Sequence, residues 1–266
     1  MRLATFVPAG ASEPVAGEVR GGEAIAFAGG GTVRERLATG DGTPADGERW
    51  ALDEVELLAP VPRPGAIYGI SLNYASHAAE TGGEPPERPL VFLKAPSSVA
   101  PPAGPVRCPP AVRRLDYEGE LAAVIGNAGE VAGYAVADDV TARDLQGREP
   151  QWARAKGAAT FCPWGPWIVT PDEAPDPASL RLRTWVNGEL RQDAPTSDLL
   201  FDVPALVAFL SETNALEPGD LILTGTPGGV GFALDPARYL QDGDVVRVEV
   251  EGVGAIEHPV EVSANR

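Results

Sequence analysis

The stretch "RRLDYEGELAAVIG", residues 113–126, decides how the chain must fold, because it carries two glutamates to the mouth of an apolar run. In an extended segment side chains alternate between faces, so Glu118 and Glu120 point the same way. That face continues through Ala122 and Val124, while Tyr117, Leu121, Ala123 and Ile125 occupy the other. From Leu121 onward both faces are apolar, the pattern of a strand covered on both sides. Two carboxylates roughly 5 Å apart repel by about 3 kcal/mol at an effective dielectric of about 20. Something has to compensate them.

Spacing alone does not make this argument, and the chain contains its own controls. In "VVRVEVEGV", residues 245–253, Glu249 and Glu251 share a face with Arg247, while Val246, Val248 and Val250 form the other. That alternation describes a half-exposed strand and needs no ion. Glu54 and Glu56 lie in an acid-rich segment, "LDEVELL". Only the pair at 118 and 120 runs into a segment apolar on both faces.

Around this strand the chain reads as α+β and mostly β. Its 31 glycines and 27 prolines in 266 residues favour turns and short strands over long helices. Residues 1–57 hold short apolar bursts between glycines and are expected to form a small N-terminal domain. The proline-rich "APVPRPG", residues 59–65, reads as a boundary, with a larger unit from residue 58 to 266. One helix is well specified in "FDVPALVAFLSE", where Val203, Leu206, Val207 and Leu210 recur at helical spacing behind the cap Asp202.

The formal net charge of −17 argues against nucleic acid and anionic membrane as partners, and obliges any anionic substrate to find local positive charge. No apolar run has the roughly 18 residues of a membrane span, and the start is read as carrying no signal peptide. Two cysteines, Cys108 and Cys162, form neither a disulfide framework nor a CxxC metal site, so a reducing cytoplasm is the expected location.

Few residues are left to carry chemistry. His77 lies in "SLNYASHAAETGG", where Ser71 or Asn73 can cap a short helix and Gly82 with Gly83 can end it. Glu80, three residues on, would share the helical face of His77, and a carboxylate beside imidazole raises its basicity. His258 has no comparable neighbour and is expected to be structural. In "GYAVADDVTARDLQ", Asp138 and Asp139 end a strand-like segment. Glu118, Glu120 and Asp139 together would make a hard oxygen site for Mg²⁺ or Mn²⁺; zinc fits less well, because neither histidine adjoins these acids. Lys156 can supply a point charge, and the backbone amides of "TGTPGGVG", residues 224–231, can hold a carboxylate or an oxyanion.

Taken in order, "LNYASHAAE", "PLVFLKAPSS", "DYEGELAAVIG", "GYAVADDVTARDLQ", "QWARAKG", "FCPWGPW", "VNGE" and "LILTGTPGGVG" resemble the fumarylacetoacetate hydrolase family over roughly residues 60–260. The resemblance implies a mixed β-sheet roll with a divalent metal at one end, a small N-terminal domain before it, and a homodimer. By position Glu118, Glu120 and Asp139 match the family's metal ligands, His77 and Glu80 its lid dyad, and Arg143, Gln146, Lys156 and Thr226 its substrate contacts. Three positions depart from the usual pattern: Asp138 and His258 each stand where asparagine is frequent, and Ala159 where an aspartate often follows the lysine motif.

The activity expected from this is metal-dependent hydrolysis of a C–C bond in a 2,4-dioxo acid. The metal would act as Lewis acid and template for a small anionic 2-oxo acid, Glu80 would polarise His77, and Lys156 would stabilise the enolate that leaves. Decarboxylation of an oxaloacetate-like acid and isomerisation of a hydroxymuconate-type dienol would share that enolate. A metal-stabilised binding protein without turnover is the non-enzymatic alternative.

Overall fold

A computed structural model describes residues 1–80, 82 and 84–262. The strand Gly119–Ile125 is buried at all seven positions. It is flanked antiparallel by Val131–Asp138 on one side and by Leu221–Leu223 on the other, with Gly119 opposite Asp138 and Ala122 opposite Leu223. It lies inside a 12-stranded mixed sheet whose main path runs Arg49–Ala51, Glu23–Ala26, Val15–Arg20, Arg2–Pro8, Cys162–Val169, Val131–Asp138, Gly119–Ile125, Leu221–Leu223, Ile67–Ser71, Leu90–Lys94. Residues 1–57 extend this sheet: Arg2 and Leu3 pair with Val169 and Ile168, and Val55–Leu58 pairs back onto Arg2–Pro8.

Each face of the central strand has its own core. Leu121, Ala123 and Ile125 pack towards Leu182, Val248 and Ile256 of a five-stranded sheet that contains Arg181–Val186, Val245–Val250 and Gly254–Val262. Ala122 and Val124 pack with Trp164, Leu221 and Leu223 towards Leu3, Ile25 and Leu37 of the N-terminal segment. Each fully buried leucine or isoleucine here contributes roughly 1.5–3 kcal/mol of transfer free energy. The control strand Val245–Val250 alternates between buried valines and partly exposed Arg247 and Glu249, as its pattern required.

The expected helix spans Val203–Ser211, with the Asp202 carboxylate accepting from the Ala205 amide and Val203, Leu206 and Leu210 buried. The short helix spans Ala75–Glu80. Neither expected cap serves it as foreseen. Ser71 ends the strand Ile67–Ser71, and the Asn73 carboxamide instead ties to Phe201 and to the Thr224 carbonyl. Gly82 takes a left-handed φ of 70°, whereas Gly83 lies outside the described residues. Among the described residues no helix is long and apolar enough to cross a membrane.

Candidate active site

The carboxylates sit where the central strand runs out of apolar partners. Glu118, Glu120 and Asp139 are all buried, and one oxygen from each lies within 4.8 Å of the others. Oxygen ligands about 2.0–2.4 Å from a common cation are separated by no more than that, so the donor set fits a hard divalent ion. Gly119, between the two glutamates, faces the other way: a Cβ there would lie 2.2 Å from Thr184 Oγ1 and 2.9 Å from Val248 Cγ1. Glycine is what lets the strand press against the five-stranded sheet while its neighbours turn into the cluster.

Cations reach the same carboxylates. Lys156 Nζ lies 2.7 Å from Glu118 Oε2 and 2.5 Å from Asp139 Oδ2. Lys94 Nζ meets Asp139 Oδ1 at 2.5 Å. Arg143 spans two acids, with Nε donating to Asp116 Oδ2 at 2.8 Å and Nη2 2.7 Å from Glu118 Oε1. Its Nη1 donates to Gln146 Oε1 at 3.0 Å.

This arrangement divides the two glutamates electrostatically. Burial pushes the Glu118 carboxyl up, but Lys156, then Arg143 and His77, outweigh it and hold Glu118 well below the usual carboxylate range. Glu120 moves the opposite way. Burial raises it, Asp139 and Glu118 add their repulsion, and Lys156 and the Gly225 amide offset only part of this. Burial disfavours the Lys156 ammonium, yet Asp139 and Glu118 raise its pKa overall. Cys162 is buried nearby, its thiol pushed up to about 12 chiefly by burial, which leaves it an inert packing residue.

His77 and Glu80 meet on the short helix, Nδ1 to Oε1 at 2.7 Å. The second oxygen of Glu80 accepts from the Gly229 amide at 2.8 Å, and Ser76 Oγ accepts from the Gly228 amide at 3.2 Å. At the other end of the same loop the Gly225 amide donates to Glu120 Oε2 at 2.7 Å. The glycine-rich loop therefore holds carboxylates, and they are the chain's own. Thr226 Oγ1 donates to the Gly119 carbonyl at 2.9 Å and accepts from Gln192 Nε2 at 2.7 Å, which fastens this loop to the strand Gly119–Ile125.

Three contributors escaped the sequence reading. Lys94 ends the strand Leu90–Lys94 and is its one buried position, although a lysine at a strand end is ordinarily solvated. Asp116 accepts from the amides of Gly231 and Phe232 as well as from Arg143, anchoring the far end of the loop. Gln192, wholly buried, accepts from the Gly119 amide and donates to the Pro227 carbonyl. Its partners lie far away in sequence, and no local pattern marks it.

Comparison with known proteins accords with this geometry. Residues 66–261 match the family model described as fumarylacetoacetate (FAA) hydrolase C-terminal. The chain is 41% identical to oxaloacetate tautomerase YisK of Bacillus subtilis over 225 residues, 79% of this chain and 75% of that protein. Among solved structures it is similar to 5-carboxymethyl-2-hydroxymuconate delta-isomerase from Mycobacterium smegmatis, at 38% identity and a TM-score of 0.82, covering 99% of this chain and 100% of that one. Maleylpyruvate hydrolase from Sphingobium sp. SYK-6, in complex with manganese(II) and pyruvate, aligns at 32% identity and a TM-score of 0.79 over 99% and 100% of the two chains. With that family match covering most of its length, the chain belongs to the fumarylacetoacetate hydrolase family.

Proposed function

We propose that the protein is a divalent-metal-dependent enzyme that moves a proton at the carbon beside the 2-oxo group of a small 2-oxo acid, interconverting the keto and enol forms of an oxaloacetate-type substrate. The observation that carries this reading is the His77–Glu80 pair, held at 2.7 Å and tied through Glu80 to the loop whose Gly225 amide holds Glu120. Hydrolysis was the sequence expectation; proton transfer now ranks first, because relatives above 40% identity carry the tautomerase name. Hydrolysis remains the second reading, supported by the maleylpyruvate hydrolase likeness.

A cation held by Glu118, Glu120 and Asp139 would supply Lewis-acid polarisation of the 2-oxo group. Glu80 Oε1 accepts the His77 Nδ1 hydrogen, which leaves Nε2 as the basic nitrogen for taking a proton from carbon 3. Returning that proton to the enol oxygen completes the exchange without any bond to water. Lys156, fixed between Glu118 and Asp139, puts a second positive charge beside the developing oxyanion.

The test is to strip the protein of metal, restore Mg²⁺ or Mn²⁺, and follow enol decay of oxaloacetate by ultraviolet absorbance while total oxaloacetate and an acylpyruvate are assayed in parallel. The expected outcome is metal-dependent enol–keto exchange with oxaloacetate conserved, absent in Glu118→Ala. Acylpyruvate cleavage with no effect on the enol would replace this reading with hydrolysis.

A further inference from the structure

Asp138 lies one residue from a metal ligand without being one itself. It is fully buried, and both of its oxygens are committed. Oδ1 accepts from the Glu118 amide at 2.8 Å, and Oδ2 lies 3.0 Å from His258 Nε2. The Asp139 amide donates to the Glu118 carbonyl at 2.8 Å, so residues 138 and 139 grip the Glu118 peptide from both sides. His258, also fully buried, reaches in from the strand Gly254–Val262 of the five-stranded sheet. The two positions noted as departures from the family's usual asparagines therefore touch each other.

We infer that Asp138 and His258 are a matched pair of positioning residues that set the backbone of Glu118 for metal binding, so that the identity of each is constrained by the other. An ionised carboxylate has only acceptors, and here it faces two donors, the Glu118 N–H and His258 Nε2–H. An asparagine at 138 has one acceptor and one donor group, so it satisfies only one neighbour. The alternative is to move the imidazole hydrogen to Nδ1, a buried atom with no hydrogen-bond partner among the described residues. Either way Glu118 shifts. A glutamine at 258 removes the conflict, because its amide reaches about as far as Nε2. It can turn its NH₂ towards the native Asp138 carboxylate, or its oxygen towards the NH₂ of an asparagine substituted there.

The inference rests on Glu118, Glu120 and Asp139 being metal ligands, and the experiment separates the two claims. Mn²⁺ is titrated into metal-stripped full-length protein, and the free ion is followed by electron paramagnetic resonance. The proteins compared are wild type, Glu118→Ala, Asp138→Asn, His258→Gln and the double variant Asp138→Asn/His258→Gln. Wild type binds, and Glu118→Ala does not. Asp138→Asn loses at least about tenfold in affinity, the range for groups that orient metal ligands. His258→Gln and the double variant stay within about threefold of wild type, so the coupling appears in the cycle. Loss of one negative charge is common to Asp138→Asn and the double variant, so recovery in the double isolates the hydrogen-bond pattern from the charge. A purely structural role would lower melting temperatures and leave the affinities level.

If Asp138→Asn binds like wild type, or the double variant is no better than Asp138→Asn, the pairing is overturned. If wild type binds no Mn²⁺, the metal reading falls and takes the pairing with it. Should Asp138→Asn fail to fold, a double variant that folds and binds supports the pairing, and one that also fails to fold overturns it.

Discussion

His77 and Glu80 are joined at 2.7 Å on a six-residue helix that two glycine amides tie to the loop at residues 224–231. His77 is not one of the three clustered carboxylates, so its loss leaves the candidate donor set intact. His77→Ala is expected to retain Mn²⁺ affinity in the metal titration while losing at least about a hundredfold in steady-state turnover, the usual scale for an acid–base group. Turnover near wild type would remove His77 from the mechanism. The acids were legible at this scale because charge entering an apolar run is costly unless something answers it. Lys94 was not, since a lysine at a strand end is ordinarily solvated; here the Asp139 carboxylate draws it inward. Nor was the Asp138–His258 contact, which joins positions 120 residues apart.

At the scale of elements, the strand Gly119–Ile125 depends on a residue with no side chain. Gly119→Ala would drive a methyl group into Thr184 Oγ1 and Val248 between two of the clustered carboxylates. The expected cost is roughly 1–3 kcal/mol, the range for overpacking a filled core, with weakened Mn²⁺ binding alongside. Chemical denaturation and the metal titration measure the two effects. An alanine variant as stable and as tight-binding as wild type would show that the five-stranded sheet gives way without moving Glu118. The helix Val203–Ser211 was legible because its apolar spacing and its cap agree. The start of Ala75–Glu80 was not, because Asn73 spends its amide on Phe201 and Thr224 rather than on the helix. Local propensity points to a cap, and a tertiary contact claims the side chain instead.

For the whole molecule, stability and pH are linked through Glu120. Its carboxyl is raised in the folded, metal-free protein, so over the range above its ordinary value of 4.5 the native state binds more protons than the unfolded chain. Metal-free protein should therefore lose stability as pH rises through that range. Glu118, which is depressed, contributes in the opposite sense only below 4.5. On the proposed reading a divalent ion takes the place of that proton, so the gain in melting temperature on adding Mg²⁺ or Mn²⁺ should widen from about pH 5 to neutrality. A gain that stays constant across that range would mean that Glu120 is not a ligand. The order of strands in the large sheet was beyond reach of the sequence, since Arg2–Pro8 finds its place beside Cys162–Val169 only when the chain has closed over itself.

The loop at residues 224–231 grips Glu120 through the Gly225 amide at one end and Glu80 through the Gly229 amide at the other. One short stretch of backbone thus positions both a member of the carboxylate cluster and the carboxylate that holds His77. Displacing Glu120 would therefore slacken the seat of Glu80 as well, so the carboxylate cluster and the dyad answer to the same loop.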